Sequence, residues 1–82
     1  MTYPTSNSTK DKILIVEDEH DIATLIQVHL NELNVESELC DNGEIALNLA
    51  LTNDYQLIIL DVMLPGMNGL DVCRKLRDNK PL

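Results

Sequence analysis

Two short, uninterrupted aliphatic runs constrain the fold of this chain more than any other feature. Residues 13–16 read ILIV and residues 57–60 read LIIL, with no polar side chain in either run. Such runs are typical of strands that are covered on both faces within a parallel sheet. The chain contains no Trp or Phe, so we expect a core of aliphatic strands packed against helices.

The rest of the chain predicts three helices and one more strand. Residues 35–40 alternate in polarity, which predicts a half-exposed strand at the edge of the sheet. Asp41 followed by Glu44 resembles a capping box that would begin the second helix. Apolar residues recur at helical spacing: Ile22, Leu25, Ile26, Leu30 and Leu33, then Ile45, Ala46, Leu49 and Ala50, then Leu70, Cys73 and Leu76. Strand and helix therefore alternate three times, and right-handed crossovers then require a parallel sheet.

Length and charge restrict the organisation and the partners. A chain of 82 residues has room for one domain. Residues 1–10 are polar and lack an apolar period, so we expect a flexible N-terminal extension followed by a folded part over residues 11–82. The net charge of -8 opposes nucleic acid binding by this segment and binding to an anionic membrane. No apolar run approaches the roughly 18 residues of a membrane span, which favours a cytoplasmic protein.

Three carboxylates follow the two aliphatic runs. Glu17 and Asp18 end the first run and Asp61 ends the second, and the carboxyl ends of parallel strands meet at one edge of a sheet. We therefore expect the three side chains to converge, where a hard cation such as Mg2+ or Mn2+ would offset their mutual repulsion. Two simpler interpretations stay open, since acids that precede a helix are often N-caps and Asp61 could only form a turn.

The motifs around these carboxylates resemble a known family. KILIVEDE at residues 12–19 and LIILDVMLPGMNGLDVCRKLR at residues 57–77 together resemble the receiver domains of two-component response regulators, over residues 11–82. The resemblance implies an α/β, flavodoxin-like (CheY-like) fold, here a parallel sheet truncated to three strands in the order 2-1-3 with three helices. The Glu-Asp pair is most similar to receivers of winged-helix transcription factors.

The same resemblance implies the roles of the site residues. Asp61 corresponds to the phospho-acceptor and to a Mg2+ ligand, Asp18 to a direct Mg2+ ligand, Glu17 to an acid that holds the metal through water, and the backbone carbonyl of Met63 to a further ligand. The phosphoryl donor would be a sensor histidine kinase. The domain would be a signalling module rather than an enzyme, and it would catalyse at most its own phosphorylation and dephosphorylation.

The chain also departs from the family pattern. Complete receivers have five strands and five helices, whereas Pro81 and Leu82 stand where the fourth strand should begin. A Ser or Thr and a Lys that the family places on the last two strands are missing, so we expect impaired phosphotransfer. The third strand, residues 57–60, would then lie at a free edge of the sheet, and we expect self-association through it.

Other functional classes fit the sequence less well. A phosphohydrolase of the haloacid dehalogenase type needs a second Asp two residues after the nucleophile, where this chain has Met63. A nucleotide-binding flavodoxin-like protein needs a phosphate loop after the first strand, and residues 17–19 would repel phosphate. A degenerate receiver that binds partners independently of phosphate stays open as the alternative function.

Overall fold

The structure is a computed structural model that describes residues 2–4 and 12–79. These residues form four strands and three helices. In chain order the elements are β1 (Thr2–Pro4), β2 (Lys12–Val16), α1 (His20–Glu32), β3 (Glu36–Cys40), α2 (Gly43–Thr52), β4 (Leu57–Leu60) and α3 (Gly69–Asn79).

The strands form one sheet in the order β1-β4-β2-β3. β2 lies between β3 and β4 and is parallel to both, with Ile15 opposite Leu39 on one side and opposite Ile59 on the other. The three strands predicted from the sequence are β2, β3 and β4. The predicted order, with the first of these strands between the second and the third, is confirmed, because β2 lies between β3 and β4. The presence of three helices is confirmed as well.

The fourth strand corrects the expectation of a free edge at residues 57–60. Thr2–Pro4 pairs antiparallel with β4, so the amides on that side of β4 face another strand. A flexible extension over residues 1–10 is therefore wrong for Thr2–Pro4, and the rest of that segment lies outside the described residues. The sequence did not indicate β1 because a strand can join the edge of a sheet through backbone hydrogen bonds alone, without an apolar pattern of side chains.

Helices cover both faces of the sheet. One face packs against α2 and α3, and its core contains Leu14, Ile58, Leu60, Ala50 and Leu76. The other face packs against α1, through Ile13, Ile15 and Ala23. Because both faces of β2 are buried, and because Leu57 and Ile59 of β4 are half-buried opposite the fully buried Ile58 and Leu60, both strands are aliphatic throughout.

The helices differ from the predicted apolar stripes at several positions. In α1 the fully buried residue is Ala23, whereas Ile22 and Leu25 are 42% and 59% exposed. In α3 the buried positions include Val72 and Leu76, and Leu70 is 54% exposed. No helix within residues 12–79 is long and apolar enough to cross a membrane.

Candidate functional site

The candidate site lies where β2 and β4 end side by side. The backbone N–H of Asp61 donates to the Val16 carbonyl oxygen at 3.0 Å, and the N–H of Glu17 donates to the Cys40 carbonyl oxygen at 2.9 Å. These bonds extend the two parallel ladders by one residue beyond the strands. The backbones of Glu17 and Asp61 are therefore fixed by the sheet, at the edge where ligands gather in parallel α/β proteins.

The structure brings the three predicted carboxylates together. Glu17, Asp18 and Asp61 each offer one oxygen atom, and these three atoms lie within 4.8 Å of one another. Glu17 and Asp61 are half-buried, whereas Asp18 is exposed. Burial raises the pKa of the Glu17 carboxyl and the nearby Asp61 carboxylate raises it further, although a hydrogen bond from the Glu19 backbone acts in the opposite direction. The cluster thus concentrates negative charge that a cation would neutralise.

The chemistry of this donor set fits Mg2+. Mg2+ prefers oxygen ligands at about 2.0–2.1 Å in octahedral geometry and usually keeps several waters, so it needs few protein carboxylates. Oxygens on opposite sides of such an ion are about 4.2 Å apart on that geometry, and the three carboxylate oxygens all lie within 4.8 Å of one another. The cluster is therefore compact enough for its members to share one ion, directly or through water.

The N-cap interpretation does not account for the acid pair. The cap position of α1 is Glu19, which makes no side-chain capping hydrogen bond. The Glu17 carboxylate instead accepts a hydrogen bond from the Glu19 N–H at 3.4 Å. Asp61 does take part in a turn, because its Oδ1 accepts from the Met63 N–H at 3.2 Å. The Met63 side chain is 79% exposed, so only its backbone contributes to this turn.

The loop after Asp61 is held by close backbone contacts at its base and at its middle. At the base, the N–H of Gly69 donates to the Val62 carbonyl oxygen at 2.9 Å. A Cβ at Gly69 would lie 2.4 Å from the Asp61 carbonyl oxygen, so only glycine permits this approach. In the middle of the loop, the Pro65 carbonyl oxygen accepts from the N–H of Gly43 at 3.0 Å. The loop is therefore docked against the start of α2.

The sequence did not indicate which residues at the start of α2 contact this loop. Asn42, rather than Asp41, caps α2, because its Oδ1 accepts from the N–H groups of Glu44 at 2.8 Å and Ile45 at 3.2 Å. A Cβ at Gly43 would lie 1.7 Å from the Met67 carbonyl oxygen. The only sequence signal was the pair Asn42-Gly43, and an Asn-Gly pair by itself indicates a turn rather than a contact with a distant loop.

A cleft of about 350 Å3 opens beside the carboxylates. It lies between α1 and α2, and it is lined by Glu17, Asp18, His20, Ala23, Leu39, Cys40, Asp41, Ile45 and Leu49. The acid pair thus forms one wall of a partly apolar cleft that is open to solvent.

Comparisons with known proteins agree on one family. The family model described as the response regulator receiver domain matches residues 13–82. Response regulator ArlR of Staphylococcus saprophyticus is 46% identical over 69 residues, and ArlR of Staphylococcus haemolyticus is 44% identical over 68 residues. The matches cover 84% and 83% of this chain and 31% of each relative. The chain therefore spans about a third of the length of these curated relatives.

Solved structures show the same fold. The receiver domain of Francisella response regulator 1452 superposes with a TM-score of 0.79 at 31% identity, over 82% of this chain and 55% of that one. A complex of histidine kinase ThkA with response regulator protein TrrA contains a match with a TM-score of 0.79 at 39% identity, over 84% of this chain and 60% of that one.

Proposed function

This chain belongs to the response regulator receiver domain family, and we propose that it accepts a phosphoryl group from a sensor histidine kinase on Asp61. The observation that carries the proposal is the position of Asp61 at the end of β4, with one oxygen each of Glu17 and Asp18 within 4.8 Å. A nucleophilic carboxylate beside a cation-binding pair is what phosphoryl transfer to an aspartate requires.

The Asp61 carboxylate would act as the nucleophile. Its Oδ1 accepts from the Met63 N–H at 3.2 Å, which fixes the orientation of the carboxylate and leaves Oδ2 for attack on phosphorus. The new O–P bond forms as the N–P bond of the kinase phosphohistidine breaks, and the departing imidazole keeps the electron pair of that bond and the proton on its other ring nitrogen, so it leaves uncharged. The product is an acyl phosphate on Asp61 and a neutral histidine on the kinase.

The neighbouring acids would hold the metal. Asp18 would bind Mg2+ directly, Glu17 would bind it through water, and the Met63 carbonyl would supply a further oxygen. When bound, Mg2+ would neutralise the negative charge on the oxygens of the phosphoryl group as it is transferred.

The proposed phosphoryl donor, a histidine kinase, is suggested by the complex of a similar protein. TrrA, which matches this chain at 39% identity, has been solved in complex with the histidine kinase ThkA. We propose that a kinase of this class, acting in the cytoplasm, is the phosphoryl donor. The chain covers 55% and 60% of the matched receiver structures, and we propose that the whole protein regulates transcription.

Labelling by acetyl phosphate in the presence of Mg2+ tests the assignment. Intact mass should show one phosphoryl adduct on the wild type and none on Asp61→Asn. Asp54→Asn is the matched control, because it makes the same change at an exposed aspartate just before the opposite end of β4, and it should be labelled like the wild type. Equal phosphoryl adducts on the wild type and on Asp61→Asn would refute the assignment of Asp61 as the phospho-acceptor. A wild type without any adduct that still binds a histidine kinase would favour the phosphate-independent module.

A further inference from the structure

The loop between β4 and α3 is joined to the start of α2 through a backbone carbonyl. The Pro65 carbonyl oxygen accepts from the N–H of Gly43 at 3.0 Å and from the N–H of Met67 at 3.1 Å. The bond from Met67 closes a turn within the loop, whereas the bond from Gly43 joins the loop to a different helix. The conformation of the loop therefore depends on α2 as well as on the strand that precedes it.

Gly43 makes this junction possible in two ways. It is the first residue of α2, and the N–H groups at the start of a helix have no carbonyl partner within the helix, so its N–H is available to the loop. The next two N–H groups, of Glu44 and Ile45, donate to the Asn42 side chain. A Cβ at Gly43 would lie 1.7 Å from the Met67 carbonyl oxygen and 2.6 Å from the Met67 carbonyl carbon. These are backbone atoms that cannot turn aside, so a side chain at this position would push the loop away.

The segment from Met63 to Pro65 is short and stiff. The Pro65 ring fixes its own φ, and the residue before a proline is restricted to extended conformations, so the Leu64 backbone has little rotational freedom. The Leu64 side chain is half-buried and packs against the core. The position of the Pro65 carbonyl therefore constrains the position of the Met63 carbonyl, which lies two residues earlier in the chain.

The Met63 end of this segment is held by the site and by the base of the loop. The Met63 N–H donates to Asp61 Oδ1 at 3.2 Å, and the Val62 carbonyl oxygen accepts from the N–H of Gly69 at 2.9 Å. The Met63 backbone is thus held on one side by the carboxylate of the proposed phospho-acceptor and on the other side by Pro65. Release of the Pro65 carbonyl should let the Met63 carbonyl move relative to Asp61.

We propose that Gly43 is a positioning residue of the acceptor site, because its bond to the Pro65 carbonyl holds the Met63 carbonyl where that oxygen can serve as a metal ligand. The inference rests on the proposed function, in which the Met63 carbonyl and Asp18 bind Mg2+. Removing a partner that orients a metal ligand typically lowers metal affinity by roughly 10–100-fold. Since the carboxylates would still hold the ion, we expect the lower end of that range.

Mg2+ titrations of the full chain, followed by NMR shifts, test the proposal. Gly43→Ala should raise the Kd for Mg2+ about tenfold, because its Cβ displaces the Met67 carbonyl and with it the loop. Pro65→Ala should raise the Kd severalfold, because it frees the backbone at residues 64 and 65, and position 65 is exposed, so the fold tolerates the change. Tyr55→Phe is the control, since it removes a hydrogen bond to Glu38 at the opposite end of the sheet and should bind Mg2+ like the wild type.

A second readout separates placement of the metal ligand from a general structural defect. In acetyl phosphate labelling, Gly43→Ala should need about tenfold more Mg2+ for the half-maximal rate, while the rate at saturating Mg2+ stays within about twofold of the wild type. An unchanged Mg2+ requirement in Gly43→Ala, or an equal loss of affinity in Tyr55→Phe, would overturn the proposal. If Gly43→Ala does not fold, Pro65→Ala decides, and a wild-type Kd for that variant would refute the inference. A wild type whose Mg2+ response is the same as that of Asp18→Ala would refute the proposed metal site itself, and this inference with it.

Discussion

Removing one buried hydroxyl should lower the stability of this domain in a way that depends on pH. The Tyr55 ring is 1% exposed, and its hydroxyl donates to Glu38 Oε2 at 3.0 Å. Glu38 also forms an ion pair with Lys12, whose Nζ lies 5.7 Å from the centroid of the Tyr55 ring. This cluster links β2, β3 and the start of β4. Tyr55→Phe keeps the ring and removes only the donor.

The magnitude follows from the burial of the two partners. A hydrogen bond to a charged group contributes about 1.5–3 kcal/mol when both partners are well buried. The Glu38 side chain is 37% exposed, so water can replace part of the lost bond. We therefore expect Tyr55→Phe to lower the free energy of unfolding by about 1–2 kcal/mol at pH 7, measured by urea titration with circular dichroism.

The pH dependence makes this prediction specific. Lys12 lowers the pKa of Glu38, and the Tyr55 hydroxyl lowers it further, so the stabilisation is present above the ordinary value of 4.5 and is lost as pH falls through the lower value of the folded state. Burial and Glu38 raise the pKa of Tyr55 from 10.0 to about 12. The stability of the wild type should therefore be fully retained below pH 10 and fall as pH rises towards 12.

Tyr55→Phe lacks the part of the alkaline loss that comes from the Tyr55 hydroxyl, whereas the part that comes from Lys12, whose pKa is raised by its bond to Glu38, is common to both proteins. The two proteins should therefore converge as pH rises above 10 and again as pH falls below the ordinary Glu38 value of 4.5. Glu38→Gln is the control for the acceptor, and it should abolish most of the additional effect of Tyr55→Phe in a double-mutant cycle. Equal urea midpoints for wild type and Tyr55→Phe at pH 7, or a difference between them that stays constant up to pH 11, would refute this reasoning.

Three further predictions concern the site and its supports. Gly69→Ala should cost about 1–3 kcal/mol and slow acetyl phosphate labelling, because its Cβ would displace the Asp61 carbonyl; unchanged labelling with unchanged stability would contradict this. Asn42→Ala should cost about 1 kcal/mol in urea titrations, whereas Asp41→Ala should have little effect because Asn42 is the cap; the reverse ranking would be the contrary result. Asp18→Ala should weaken Mg2+ binding measured by calorimetry or NMR shifts, and identical titrations would argue against the metal site.

The sequence predicted the parts of the fold that depend on side-chain pattern. The runs at residues 13–16 and 57–60 are covered on both faces, with Leu57 and Ile59 half-buried, so their composition alone indicated parallel strands. The carboxylates that follow these runs had to share an edge of the sheet. The position of β1 was not predictable in this way, because its pairing depends on backbone amides. The cluster of Lys12, Glu38 and Tyr55 was missed since its members are far apart along the chain.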